Sequence, residues 1–209
     1  MNYLEQLNWR YATKRMNGKS IPQDKLNRIL DAIRLSASSF GLQPFEVLVI
    51  KDPEMRKKLK PAAFKQPQFD EASEILVFAY YNNLDASHVN DFIENIATTR
   101  SVSKESLEEY RKTIQNTVDT KGKEALNVWS SRQAYIALGT GLMAASLEEV
   151  DATPMEGFSP DKFDEILGLA DKNLRSVVIL ALGYRDESND PLAKAKKVRK
   201  SKEKFFHFI

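Results

Sequence analysis

Residues 35–50, LSASSFGLQPFEVLVI, carry the chain out of a helix, through a turn of small hydroxyl residues and a glycine, and into an apolar run, Phe45–Ile50. The run is short and rich in β-branched residues, so it reads as a buried strand. Upstream, Leu26, Ile29, Leu30 and Ile33 recur at helical spacing, ahead of Arg34. Ser20-Ile-Pro-Gln23 has the form of a capping box with Pro22 in the first turn, and opens that helix. Gly41 suits a C′-type residue closing it. Helix, turn and strand thus follow one another within about thirty residues.

The pattern repeats along the chain. Ile75–Tyr81 and Ser176–Leu182 read as buried strands and Ala152–Met155 as a shorter one. Pro53–Ala63 reads as a Lys-rich surface helix, and helices are expected over Ala86–Thr98, Lys104–Thr120, Glu124–Glu148 and Pro160–Leu167. An α+β fold follows, with a mixed central sheet flanked by helices. The long helix is marked by small residues, Ala134, Ala137, Gly139, Gly141, Ala144 and Ala145. They allow another helix close approach.

The 209 residues are 42% apolar and 29% charged, the balance of a globular chain rather than a disordered one. With no cysteine, disulfides, thiolate metal sites and cysteine nucleophiles are excluded. The two histidines, His88 and His207, are far apart, and no metal site is expected. The N-terminal stretch mixes charge with apolar residues and has no signal-peptide core, and the apolar runs are too short to span a bilayer. The expectation is a cytoplasmic protein with one domain over 1–209, a polar helical excursion at about 83–122 and a C-terminal strap at 185–209. Residues 191–204 hold seven Lys/Arg and one acid, whereas the remainder holds 24 Lys/Arg against 28 acids. A basic strap therefore lies on an acidic body.

Four segments could carry chemistry. Trp9-Arg-Tyr-Ala-Thr-Lys-Arg15 is either a solvated basic turn or an anion-capturing arm, arginine offering phosphate a planar fork of donors. The turn Ser36–Pro44 is a polar helix exit or a sheet-edge loop able to grip a planar heterocycle. Thr153–Phe158 is a plain strand-to-helix turn or one presenting two successive N–H groups to a cavity. Lys194–Lys202 is a solvated tail or a nonspecific nucleic-acid binder; the acidic body and the lack of interleaved aromatics argue against nucleic acid. The apolar end Phe205–Ile209 is expected to dock on this subunit or on a neighbour.

In this order and at these separations the segments resemble the nitroreductase family of FMN-dependent NAD(P)H oxidoreductases. The likeness rests on Arg10, Ala12 and Lys14; on Ser36, Ser38, Ser39, Gln43 and Pro44; on Pro154, Glu156 and Gly157; and on Lys197 and Arg199. It implies an intertwined homodimer with FMN at each of two interface sites. It also implies that Arg10, Lys197 and Arg199 bind the flavin phosphate, next to Tyr11 and Ala12, and that Lys14 lies near the pyrimidine edge. Ser38 and Ser39, with Gly41, match a loop reaching in from the partner subunit. Lys65, Gln66 and Gln68 align with a polar stretch touching the ring. Within Pro154-Met155-Glu156-Gly157, the N–H groups of Glu156 and Gly157 match those facing flavin N5. Ala12 and Gly41 depart from the serine and asparagine usual at those places, removing one contact each.

The implied activity is hydride transfer from NAD(P)H through flavin N5 to nitroaromatics, quinones or similar planar acceptors, in a ping-pong cycle. Lys14, Glu156 and Gly157 would tune the flavin without a protein nucleophile. The alternative is an FMN-sequestering protein with little turnover. In the family the excursion walls the acceptor side, where Phe92 and Tyr110 stand as candidates beside the reading of an ordinary solvated helix pair. The implied partners are NAD(P)H, a planar acceptor and a second copy of the chain, with neither nucleic acid nor membrane.

Overall fold

The computed structural model describes residues 2–209. Helix α1 (Tyr3–Trp9) is followed by an extended arm and by α2 (Gln23–Arg34). Strand β1 (Phe45–Ile50) leads through α3 (Pro53–Leu59) and the single-turn α4 (Gln68–Glu71) to β2 (Glu74–Tyr81). Helices α5 (Ala86–Arg100), α6 (Glu108–Thr120) and α7 (Lys123–Leu147) precede β3 (Asp151–Met155), α8 (Pro160–Leu167) and β4 (Leu174–Gly183). The strap then runs to a short α9 (Lys202–Phe205).

The strands lie in the order β1-β2-β4-β3, and each neighbouring pair is antiparallel. Val77 faces Leu48 on one side and Ile179 on the other, and Ala181 faces Thr153. The α+β class is as expected, but within one chain the sheet is not mixed. Strands β2 and β3 point the same way, yet β4 lies between them, so no parallel pair forms.

Both faces of the sheet are covered. Leu76, Phe78, Leu180 and Leu182 pack with Leu26, Ile29 and Ile33 of α2 and with Ala134, Ala137 and Leu138 of α7. Ile75, Val77, Ile179 and Ala181 pack on the other side with Leu59, Phe69, Phe158 and Phe163. Two-sided burial explains why β2 and β4 read as continuous apolar runs, each buried side chain contributing about 1.5–3 kcal/mol. Strand β1 departs from the expected buried strand. It is an edge, with Phe45 and Ile50 buried but Val47–Val49 only partly so.

The small residues of α7 serve the subunit interior. Ala134, Ala137, Gly141 and Ala145 are buried, and a Cβ at Gly141 would sit 2.9 Å from Ile33 Cγ1. Glycine there lets α2 approach. The opposite side of α7 leaves Val128, Tyr135, Ile136 and Leu147 exposed. Although α7 spans 25 residues, no described helix is long and apolar enough to cross a membrane.

Three local expectations are corrected. No capping box forms at α2: Pro22 is the cap residue and no side chain caps it. The preceding chain is held elsewhere, Gly18 N–H donating to Glu71 O and Ile21 N–H to Ser73 Oγ. Gly41, with φ +78°, closes a 3-10 turn at Ser39–Gly41 rather than α2, which has ended at Arg34. The helix beginning at Pro53 is not purely a surface element. Arg56 is buried and donates to the carbonyls of Ile50 (3.1 Å), Ala72 (2.6 Å) and Ser73.

Candidate functional site

The arm between α1 and α2 is held by side chains from distant parts of the chain. Buried Gln68, positioned by α4, donates Nε2 to the carbonyls of Thr13 (3.0 Å) and Lys14 (3.3 Å). Thr153 Oγ1 of β3 donates to the same Thr13 carbonyl at 2.7 Å. From the strap side, Asp190 Oδ2 accepts from the Lys14 N–H (2.7 Å), the Arg15 N–H (3.3 Å) and the Tyr11 hydroxyl (3.0 Å). Its Oδ1 accepts from the Leu192 N–H at 2.8 Å. Burial alone would raise the Asp190 pKa, but these hydrogen bonds outweigh it and hold the carboxyl below the usual range.

Beneath the arm, Asp151 accepts from Arg185 Nε (2.9 Å), Arg185 Nη2 (2.6 Å), the Arg185 N–H (2.8 Å) and Thr13 Oγ1 (3.2 Å). The Arg185 guanidinium lies over the rings of Trp9 (4.3 Å) and Tyr11 (4.7 Å). Arg15 pairs with Glu71 at 2.6 Å, and Glu71 also accepts from the Met16 N–H. The arm is thereby fixed as a rigid ledge rather than a loose basic turn.

Between arm and strap lies a cavity of about 460 Å³, with Arg10, Tyr11, Ala12, Lys197 and Arg199 in its lining. Lys197 Nζ donates to the carbonyl of Leu7 at 2.7 Å and to that of Arg10, which seats the strap at the end of α1. Arg10 Nε is buried without a partner. Burial, followed by the charge of Arg199, lowers the Arg10 pKa; burial, then Arg10 and Arg199, lowers that of Lys197. Three cations therefore line one cavity, and no carboxylate offsets the charge on Arg10 or Lys197. Such a cluster is relieved by a bound anion.

The ledge continues into the turn after β3. Gln66 Nε2 donates to Gly157 O at 2.7 Å, and the Phe158 N–H donates to Glu156 O at 2.9 Å. Among the described residues, the N–H groups of Glu156 and Gly157 have no partner. Gln68 Oε1 is buried and also has no partner. Just before Gln66, Phe64 and Lys65 both adopt left-handed backbone (φ 52° and 58°), a costly conformation for non-glycine residues and one that collects at functional sites.

Most of the expected site residues are thus linked. Arg10, Tyr11, Ala12, Lys197 and Arg199 share the cavity, and hydrogen bonds tie the Lys14 backbone to Gln68 and the turn Pro154–Gly157 to Gln66. The Lys14 and Lys65 side chains are exposed. Ser38, Ser39 and Gly41 are not brought to this group. Ser38 Oγ accepts from the Gln43 N–H (3.0 Å), and the Ser39 N–H donates to Gln133 Oε1 (2.8 Å). Phe92 lies beside Gly41, and the Tyr110 hydroxyl donates to Phe40 O, so both aromatics accompany the serine loop rather than the arm. A second cavity of about 580 Å³ lies between α2, β1 and α5.

Asp190, Asp151, Arg185 and Thr13 organise the site without having been read from the sequence. Their pairings join residues up to 179 positions apart, and only the turn-forming Asp190-Pro191 gave any local signal.

A model described as the nitroreductase family matches residues 7–184. A protein of Staphylococcus haemolyticus named as an NAD(P)H nitroreductase is 33% identical over 191 residues, covering 86% of this chain and 87% of that protein. A Thermus thermophilus protein named NADH dehydrogenase is 32% identical over 183 residues, 87% of this chain and 86% of its own. The solved structure of an Exiguobacterium sibiricum nitroreductase in complex with FMN superposes with a TM-score of 0.84 at 19% identity, covering 100% of this chain and 98% of that one.

Proposed function

Because the chain belongs to the nitroreductase family, we infer that it is an FMN-dependent oxidoreductase, passing a hydride from NAD(P)H to nitroaromatics, quinones or similar planar acceptors. The observation that carries this reading is the set of unused donors and charges on one ledge. Arg10, Lys197 and Arg199 line one cavity, no carboxylate offsets the charge on Arg10 or Lys197, and Arg10 Nε is buried without a partner. A phosphate dianion satisfies all three. Further along, the free N–H groups of Glu156 and Gly157 suit a ring acceptor, and the orphaned Gln68 Oε1 suits a ring N–H. These groups fit FMN, and the structurally similar Exiguobacterium nitroreductase is described in complex with FMN.

Bound FMN supplies the two-electron chemistry, so the protein needs neither thiol nor metal. The chain's own part is placement and electrostatics. Asp190, Gln68 and Thr153 hold the arm, so that Lys14 projects from fixed backbone and offers positive charge where negative charge accumulates on reduction. Gln66 holds the Gly157 carbonyl, directing the turn.

The active form in this reading is a cytoplasmic homodimer. Ser38, Ser39 and Gly41 lie away from the ledge in their own chain, and serve the site of a second copy. The apolar side of α7 and the exposed end Phe205–Ile209 supply surface for that copy to cover. The test is reconstitution: flavin-free protein titrated with FMN should quench flavin fluorescence at one FMN per chain, with riboflavin bound far more weakly. Protein that leaves FMN free at equimolar micromolar concentration contradicts the reading.

A further inference from the structure

Tyr135, on α7, donates its hydroxyl to Oε1 of Glu156. It reaches the turn after β3 from one side, while Gln66 Nε2 reaches Gly157 O from the other. The Ser159 N–H adds an anchor on Ala62 O at 2.8 Å. The two N–H groups between these tethers remain free. Burial, and then the hydrogen bond to Glu156, raises the Tyr135 pKa, so the phenol keeps its proton and continues to donate throughout the neutral range.

We propose that Tyr135 is a positioning residue for the flavin: through the Glu156 carboxylate it holds the turn so that the Glu156 and Gly157 N–H groups, one from each of two successive peptides, face into the site. The proposal rests on the FMN reading given above. A backbone N–H helps a ring acceptor only when its peptide plane is fixed, because a small misplacement is costly to reaction. Within the turn one hydrogen bond, Phe158 N–H to Glu156 O, is the only internal hold among the described residues. Glu156 and Gly157 are exposed, and glycine has the widest backbone freedom. Glycine is nevertheless suited to this place, since a Cβ would lie 3.3 Å from Gln66 Nε2 and crowd that tether. The turn therefore relies on two side-chain holds besides its backbone anchors, and Tyr135 provides one of them from a helix rooted in the core.

Tyr135→Phe removes only the hydroxyl. In flavin-free protein, exchange of the Phe158 amide, which is held on Glu156 O within the turn, should quicken by about 3–10-fold, the loss expected for one net hydrogen bond. With FMN bound, the visible circular dichroism of the flavin should change. Its single-turnover reduction by NAD(P)H should slow by a similar factor of about 3–10, while FMN affinity changes by less than about twofold. Glu156→Ala should reproduce these effects, and the double variant should be no worse than either single one. Glu156→Gln, which keeps an acceptor oxygen, should restore most of the wild-type behaviour. Unchanged exchange and dichroism in Tyr135→Phe, or losses that add in the double variant, overturn the proposal. Wild-type protein that binds no FMN overturns the functional reading and this proposal with it. A flavin-binding wild type with an indifferent Tyr135→Phe overturns the proposal alone.

Discussion

Arg185 clasps Asp151 with two nitrogens, Nε at 2.9 Å and Nη2 at 2.6 Å from the same oxygen, and both side chains are largely withdrawn from water. Removing the arginine strands a buried carboxylate and frees the rings of Trp9 and Tyr11. Arg185→Leu should therefore destabilise the flavin-free protein by about 3–5 kcal/mol in urea denaturation. Arg185→Lys should recover only part of that, since an ammonium lacks the planar fork. A loss below about 1 kcal/mol, typical of an exposed pair, would show that the clasp is not structural.

Asp190 gives the arm a pH dependence. Its folded pKa lies below the ordinary carboxylate value, because the hydrogen bonds it accepts outweigh burial. A depressed folded pKa contributes stability above the unfolded value, about 3.9, and that contribution fades as pH falls through the folded value. Wild type should lose stability toward acid more steeply than Asp190→Asn, the two curves converging once the pH lies below the folded value. Urea midpoints between neutral pH and that limit measure this, and parallel curves would refute it.

The cation cluster makes a ligand-specific prediction. Arg10→Ala or Arg199→Ala should weaken FMN binding by about tenfold or more, the scale of a lost hydrogen bond between charged groups. Riboflavin, which lacks the phosphate, should bind wild type and variants alike. Equal losses for both flavins would place the arginines elsewhere on the ligand.

The C-terminal end bears on assembly. Phe205, Phe206, Phe208 and Ile209 are all exposed in one chain, and burying one such side chain contributes about 1.5–3 kcal/mol. Deleting 205–209 should weaken the proposed homodimer by at least about tenfold in sedimentation equilibrium. A dimer of unchanged affinity would remove the tail from the interface.

How much of this was legible in the sequence depended on how local the physics was. Helix α8 was readable end to end, because Pro160 opens it and Phe163, Ile166 and Leu167 form its inner stripe. Strands β2 and β4 were readable because both their faces are buried. Helix α4 was not: a single turn, Gln68–Glu71, carries no period to detect. The failed capping box at Ser20 shows tertiary bonds to Glu71 and Ser73 overriding a local pattern. At the site, the motif residues were readable from their order, and Gln68 was placed near the ring. Its main hold is on the arm carbonyls, with one oxygen left over. Asp151, Asp190 and Arg185 were not readable, since a buried charge is defined by partners that sequence places far away.

That this ledge binds FMN in order to turn it over is tested most directly by anaerobic stopped-flow on the FMN-loaded protein. NADH or NADPH should bleach the visible flavin band in a single turnover, and menadione or a nitroaromatic, mixed in next, should restore it. Flavin that stays oxidised in the presence of both nucleotides, or that cannot be reoxidised by either acceptor, would contradict the account and leave a protein that merely holds its flavin.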